Sequence, residues 1–125
     1  MADSNCLVAV VDDEELVRRA LTRLLCSAGL RVNAFASGQD FLALWRDEPP
    51  DCLVLDLNMP GLNGLDVQRC LQQWGRPLPT VIITAQDDPA IRAQCLAAGA
   101  SAYLCKPLDR QTLLDAIGRA LPAAD

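Results

Sequence analysis

Four apolar runs in this sequence end on polar side chains of the kinds that bind phosphate and divalent cations. One run, at 53–55, leads straight into a carboxylate and is followed by turn-forming residues at 58–61. The polar residues at the ends of the four runs are Asp12, Asp13, Asp56, Thr84 and Lys106. Three carboxylates, a hydroxyl and an ammonium suit a divalent cation and a phosphoryl group. Carboxylates bind hard cations, and the other two groups donate hydrogen bonds to phosphate oxygens.

A parallel sheet would bring these side chains together. Each run is short and apolar and is bounded by turn residues, which is typical of a buried strand. Helical patterns separate the runs, and alternating strands and helices form a parallel sheet whose strands all end at one edge. Open α/β sheets bind their ligands at that edge. A charged Asp56 beside an apolar core needs partners, and the other four polar residues could supply them.

Five strands and five helices are predicted, in strict alternation. The strands are expected at residues 7–11, 31–36, 53–56, 80–84 and 102–105. The second strand alternates polar and apolar residues, which indicates an edge strand with one face in solvent. Together with right-handed crossovers, this favours a flavodoxin-like (βα)5 fold of the α/β class. The five-stranded parallel sheet would have the strand order 2-1-3-4-5 and helices on both faces.

Two of the predicted helices carry distinctive patterns. The first has an apolar stripe that begins at Leu16, and the i,i+4 pairs Glu14/Arg18 and Glu15/Arg19 lie on its other face. The fourth is short and rich in alanine, with few large apolar residues. We therefore expect the fourth helix to be the most weakly held of the five.

The composition limits the classes of function. A chain of 125 residues, about half of them apolar, is expected to form one domain. The net charge of −5 argues against nucleic-acid binding by this segment, and no apolar run approaches the roughly 20 residues of a membrane span. We expect no signal peptide, and six cysteines without a C-x-x-C pair are expected to be reduced in the cytoplasm. Because the chain has no histidine, a Ser-His or Cys-His nucleophile is excluded and any phosphohistidine donor must lie elsewhere.

From about residue 6 to 121, the sequence resembles the receiver domain of bacterial two-component response regulators. The similar motifs are the acidic residues of 10–14, the phosphoacceptor loop 56–64, Thr84-Ala85, the switch aromatic Tyr103 and Lys106-Pro107. The resemblance implies a receiver domain at residues 1–121, with a tail or the start of a linker at 122–125. It also implies a cis peptide bond between Lys106 and Pro107.

The resemblance further implies a role for each site residue. Asp56 would accept a phosphoryl group from a sensor histidine kinase in a Mg²⁺-dependent reaction. Asp13, Asp56 and the backbone carbonyl of Asn58 would bind Mg²⁺ directly, and Asp12 would act through water. The phosphoryl oxygens would be held by Lys106 and by the hydroxyl of Thr84. The domain would then be no ordinary enzyme, because it would catalyse only its own phosphorylation and dephosphorylation.

Phosphorylation would be read out through Thr84 and Tyr103. As the Thr84 hydroxyl turned toward the phosphoryl group, Tyr103 would turn inward and reshape the surface of the fourth helix, fifth strand and fifth helix. The expected consequences are a homodimer through that surface and control of an output, most simply transcription, by a DNA-binding domain outside these 125 residues. No membrane partner is expected.

Two other functions are compatible with parts of the pattern. A phosphohydrolase of the haloacid dehalogenase type also uses a strand-end aspartate, Mg²⁺ and a lysine. It needs a second acid two residues after the nucleophile, where this chain has Asn58. The other alternative is a receiver-like module that binds partners without being phosphorylated. The response to a small phosphodonor and Mg²⁺ distinguishes the three.

Overall fold

A computed structural model of the protein describes residues 6–121, in which five strands alternate with five helices. The strands are β1 (Leu7–Val11), β2 (Arg31–Phe35), β3 (Cys52–Asp56), β4 (Thr80–Thr84) and β5 (Ala102–Cys105). The helices are α1 (Glu15–Ser27), α2 (Gly38–Leu44), α3 (Gly64–Gln73), α4 (Pro89–Ala97) and α5 (Arg110–Ala120). The tail predicted at 122–125 lies outside the described residues. None of the helices within 6–121 has the length and apolarity that crossing a membrane requires.

The sheet has the predicted order, β2-β1-β3-β4-β5, and every neighbouring pair is parallel. β2 lies at one edge, as its alternating pattern indicated. The register of the strands places the ends of β1, β3 and β4 side by side. Val11 pairs with Leu55, so Asp12 follows directly beside Asp56. On the other side of β3, Asp56 itself pairs with Ile83, the residue before Thr84.

The core consists of two apolar layers, one on each face of the sheet. Helices α2, α3 and α4 cover one face and α1 and α5 cover the other. The first face carries Ala9, Val11, Leu53, Leu55 and Ile82, and the second carries Val8, Val10, Val54, Val81 and Ile83. Because the three inner strands are buried on both sides, they are nearly uniform apolar runs, which is why they could be recognised in the sequence.

Side-chain caps fix where four of the helices begin. The side chains of Ser37, Asn63, Asp88 and Asp109 accept hydrogen bonds from the first-turn N–H groups of α2, α3, α4 and α5. Such a cap typically stabilises a helix by about 1 kcal/mol. Asn63 and Asp66 form a reciprocal capping box. Asn63 therefore sets the start of α3 just after the Asp56 loop.

The expected apolar stripe of α1 is only partly buried. Leu21 and Leu25 are buried, but the side chain of Leu16 is 79% exposed. Leu16 lies in the first turn of the helix, beside Pro107 and Leu108 of the β5–α5 loop. Leu16 begins the apolar stripe in the sequence but is not buried with it, because the first turn of α1 flanks a loop and not the sheet.

Candidate functional site

Three carboxylates meet where β1 and β3 end. Oxygens of Asp12, Asp13 and Asp56 all lie within 4.8 Å of one another. Asp12 and Asp56 are buried, at 0% and 2% exposure, whereas Asp13 is exposed to solvent. A hard cation such as Mg²⁺ takes oxygen ligands, keeps several waters and uses only one or two carboxylates. The donor set, with one solvent-facing and two buried carboxylates, fits an ion of that kind.

Lys106 is the cation that faces this cluster, and it is the only lysine in the 125-residue sequence. Its Nζ lies 3.0 Å from Asp12 Oδ2, 3.5 Å from Asp56 Oδ1 and 3.5 Å from Glu14 Oε1. Burial alone would lower the pKa of Lys106, but the hydrogen bond to Asp12 and the charges of Asp56 and Glu14 outweigh it and raise the pKa. The Lys106–Pro107 peptide bond is cis, as the resemblance implied.

The burial and the nearby charges change the pKa of Asp56. Burial, followed by the negative charge of Asp12, raises the pKa of Asp56 to about 6, although Lys106 pulls it in the opposite direction. A carboxylate with a raised pKa holds its proton more tightly and is more basic when ionised. At neutral pH, Asp56 is thus ionised but costly to keep so.

Because the pKa of Asp56 is raised in the folded state, ionising Asp56 should lower the stability of the wild-type protein as the pH rises. Asp56→Asn should remove this pH dependence. The loss of folding free energy caused by ionised Asp56 is fully present above its folded-state pKa of about 6. It disappears as the pH falls toward the ordinary pKa of an aspartate. Without divalent cations, Asp56→Asn should be more stable than wild type at pH 7.5 by about 3 kcal/mol. Denaturant unfolding should show this advantage shrinking toward zero near pH 4. Asp47→Asn, which removes an exposed carboxylate, serves as the control; an equal gain in that variant would contradict the assignment.

The β1–α1 loop is held by contacts that the sequence did not indicate. Asp12 Oδ1 accepts a hydrogen bond from Glu14 N at 2.9 Å, and Arg18 Nη1 donates to the backbone carbonyl of Asp12 at 2.8 Å. Arg18 and Glu14, predicted to pair with each other, instead contact Asp12 and Lys106 respectively. Arg19 does form the predicted ion pair with Glu15, at 3.2 Å. Arg18 thus positions the strand end that carries the buried carboxylate.

The loop after Asp56 folds back on itself so closely that only glycine fits at position 64. Leu57 N donates to Ile83 O at 2.8 Å, and Gly64 N donates to Leu57 O at 3.0 Å. A Cβ placed on Gly64 would lie 2.8 Å from the carbonyl oxygen of Asp56. The start of α3 therefore packs against the backbone of the Asp56 residue itself, which fixes where its carboxylate points.

Thr84 links this loop to the end of β4. Its hydroxyl accepts a hydrogen bond from Asn58 Nδ2 at 3.0 Å and donates to the carbonyl of Gln86 at 3.1 Å. The hydroxyl of Tyr103 reaches the same Gln86 carbonyl at 3.5 Å. Sequence reasoning assigned Asn58 a role through its backbone carbonyl; its side chain has a second contact, on Thr84. Tyr103 is already buried in this structure, at 6% exposure, with the Arg92 guanidinium over its ring.

Comparison with known proteins places the chain in a family. The model of the response regulator receiver domain matches residues 8–118. The response regulator protein TmoT of Ectopseudomonas mendocina is 38% identical over 124 residues, which cover 99% of this chain and 56% of TmoT. The transcriptional regulatory protein TdiR of Thauera aromatica is 42% identical over 114 residues, which cover 91% of this chain and 50% of TdiR. The chain spans about half the length of these curated relatives.

A solved structure agrees with the sequence comparison. The crystal structure of FixJ-N has a TM-score of 0.88 and 34% sequence identity, covering 99% of this chain and 100% of that one. The likeness thus extends over the sheet, its helices and the edge where the carboxylates and Lys106 meet. The chain belongs to the response regulator receiver domain family, a family of signalling domains rather than of classical enzymes.

Proposed function

We propose that this domain accepts a phosphoryl group on Asp56 from the phosphohistidine of a sensor histidine kinase. A carboxylate oxygen of Asp56 attacks phosphorus, a P–O bond forms, and the P–N bond to the donor imidazole breaks with its electron pair leaving on nitrogen. The observation that carries this proposal is the buried Asp56 carboxylate at a strand end, 3.5 Å from Lys106 and beside two further carboxylates. The raised pKa of Asp56 supports it, because an ionised carboxylate of raised basicity is a better nucleophile.

Mg²⁺ would be held by Asp13, Asp56 and the backbone carbonyl of Asn58, with Asp12 acting through water. When bound, the ion would neutralise charge as the anionic phosphoryl group approaches three carboxylates. Lys106 is close enough to Asp56 to hold a phosphoryl oxygen there, and the Thr84 hydroxyl is positioned at the neighbouring strand end. Both groups are donors to charge that grows during transfer.

Two other functions are less well supported. A phosphohydrolase would need an acid at position 58, and the Asn58 side chain is instead an amide that donates to Thr84. A module that binds partners without phosphorylation would have no need to place the buried Asp12 and Asp56 so close to each other and to the half-buried Lys106, since buried charges are costly. This arrangement of charges favours phosphoryl transfer.

The test is incubation with a small phosphodonor and Mg²⁺, followed by mass spectrometry of the intact protein. The proposal expects a gain of one phosphoryl group that persists after the donor is removed. Steady release of phosphate without a persistent adduct would indicate a hydrolase. An unchanged mass, in protein that is shown to be folded, would indicate a phosphorylation-independent module.

The contacts of Thr84 suggest how phosphorylation would be transmitted. A hydroxyl that turns toward a new phosphoryl oxygen gives up its bond to the Gln86 carbonyl, which Tyr103 also reaches. Because Tyr103 is already inside, its expected change is a tighter contact with that carbonyl and not the swing from outside to inside that the resemblance suggested. The backbone at 86–88, which leads into α4, would then move.

We expect helix α4 to move more at its beginning than at its end. Its only buried residue is Cys95. Near its end, Gln68 Nε2 of α3 donates to the Cys95 carbonyl at 3.3 Å, and Gln72 donates to the Ala98 carbonyl. Near its beginning, the side chain of Asp88 caps the helix, the exposed Arg92 stacks on the ring of Tyr103, and Ile91 is half-buried against the core. The helix would therefore pivot about the end that α3 holds.

We expect this movement to reshape the α4–β5–α5 surface and to promote a homodimer through it, with an output domain beyond this segment responding to the change. Sedimentation with and without beryllofluoride, which mimics the phosphoryl group, measures the association. Dimerisation that is stronger with beryllofluoride and is weakened by Tyr103→Ala is the expected outcome. Equal association in the two conditions would contradict this switch while leaving phosphorylation of Asp56 intact.

A further inference from the structure

Two helix ends meet on the side of the domain opposite Asp56. In a strand–helix–strand crossover the helix runs back toward the start of the strands, so α2 and α3 both end near the edge where β3 and β4 begin. At this place the guanidinium carbon of Arg46 lies 5.4 Å from the ring centre of Trp45 and 5.2 Å from that of Trp74. The guanidinium carbon of Arg76 lies 5.3 Å from the ring centre of Trp45. These four residues are called the Trp–Arg patch below.

The two guanidiniums of the patch have no acidic partner in the described part of the chain. Arg46 and Arg76 are both exposed, and no ion pair within 6–121 involves either of them. Arg19 and Arg31, in contrast, pair with glutamates. Stacking on an indole uses the flat face of a guanidinium and leaves its in-plane N–H donors free. The patch thus presents two guanidinium groups that are held against indole rings and whose N–H donors have no acidic partner within residues 6–121.

The two indoles of the patch differ in exposure. Trp45 is 1% exposed, and its Nε1–H has no hydrogen-bond acceptor among the described residues. A buried donor without an acceptor costs about 1–3 kcal/mol, so such a group is normally satisfied. Trp74 is 44% exposed and offers apolar surface next to Arg46. Rigid tryptophan and arginine side chains are the residues that dominate protein–protein contacts.

We infer that the Trp–Arg patch binds a short acidic segment of a partner protein. The carboxylates of that segment would take paired hydrogen bonds from Arg46 and Arg76, and an apolar side chain of the segment would pack on Trp74. The net charge of −5 repels long polyanions such as nucleic acid, so the occupant is a segment with few carboxylates.

The location of the patch predicts its role. Asp56 lies at the opposite edge of the sheet from the ends of α2 and α3. The part of α4 next to the end of α3 is the end that Gln72 holds and that is expected to stay in place, so binding at the patch should not depend on phosphorylation. The segment would act as a constant attachment, while the phosphoryl switch controls the other surface. This inference therefore stands apart from the proposed function.

The chain carries its own probe for this site, because Trp45 and Trp74 are its only tryptophans. We would titrate the protein with end-blocked hexaglutamate and follow both the indole fluorescence and the two indole N–H signals in nuclear magnetic resonance spectra. The expected result is a saturable change of both, equal with and without beryllofluoride. Sodium glutamate at matched ionic strength and end-blocked hexalysine should give no saturable change.

Matched variants assign the effect to the guanidiniums. Arg46→Gln combined with Arg76→Gln should weaken hexaglutamate binding by about tenfold or more. Arg23→Gln, which removes an exposed arginine with no ring contact, should leave it unchanged. No saturable response to hexaglutamate, an equal loss in Arg23→Gln, or equally tight binding of hexathymidylate would overturn the inference. An unchanged melting temperature in the double variant shows that lost binding is not lost folding.

Discussion

Asp56→Asn should reduce phosphate incorporation from a small phosphodonor below detection, a loss of roughly a thousandfold or more. The amide keeps the size and planarity of the carboxylate but has no anionic oxygen to attack phosphorus. Asp13→Asn should lower the rate without abolishing the product, because Asp13 is proposed only to hold the cation. Asp47→Asn, at an exposed position just after α2, should behave as wild type.

The loss in Asp56→Asn cannot be explained by unfolding, because this variant is expected to be more stable than wild type at neutral pH. Phosphate incorporation should be measured together with thermal unfolding of the same sample. If Asp56→Asn still acquires a phosphoryl group, peptide mapping would locate it. A phosphoryl group on Asp12 or Asp13 in wild-type protein would show that the nucleophile was assigned to the wrong carboxylate.

The sheet could be predicted from sequence because its inner strands are buried on both faces. Such strands must be short apolar runs, and each here ends at a polar residue or a turn residue. Once alternating helices require parallel strands, the meeting of Asp12, Asp56, Thr84 and Lys106 at one edge follows from topology alone. The edge position of β2 followed from its alternating pattern in the same way.

Side-chain partners were harder to predict, because they depend on distances that spacing does not define. Glu14 and Arg18 have the spacing of a helical ion pair, but Glu14 lies just before α1 and contacts Lys106 instead. Arg18 then reaches the Asp12 carbonyl. Leu16 fits the apolar period of α1, yet the loop beside it leaves it exposed. The helical period of apolar residues predicts which residues lie on one face of a helix, but not what packs against that face.

The Trp–Arg patch was not predicted from the sequence. Trp45 follows α2 and Trp74 follows α3, and each tryptophan in isolation resembles an ordinary apolar residue at a helix end. Their meeting over one guanidinium depends on how two helices lie side by side on the sheet. A usable signal would have been that both tryptophans of the chain are followed within two residues by an arginine.

Lys106→Ala should destabilise the metal-free protein by about 2–4 kcal/mol at pH 7.5. Lys106 is the cation that offsets the buried Asp12 and Asp56, and removing one partner of a buried ion pair leaves an uncompensated charge. Because the folded state raises the pKa of Lys106, its stabilising effect is fully present at neutral pH and fades only as the pH rises through that raised value. The melting temperature should fall by roughly 10 °C. Arg23→Ala removes the same charge from an exposed position and should change little.

A double variant separates the lost ion pair from lost packing of the lysine stem. In Lys106→Ala combined with Asp12→Asn, the buried negative charge is removed along with its partner, so the double variant should be more stable than Lys106→Ala alone. Millimolar Mg²⁺ should also restore part of the stability lost in Lys106→Ala, because a cation can take over the neutralisation. If Lys106→Ala and the double variant unfold at the same denaturant concentration, and Mg²⁺ raises neither, then Lys106 stabilises the fold by packing and not by balancing the carboxylates on which the proposed phosphoryl transfer depends.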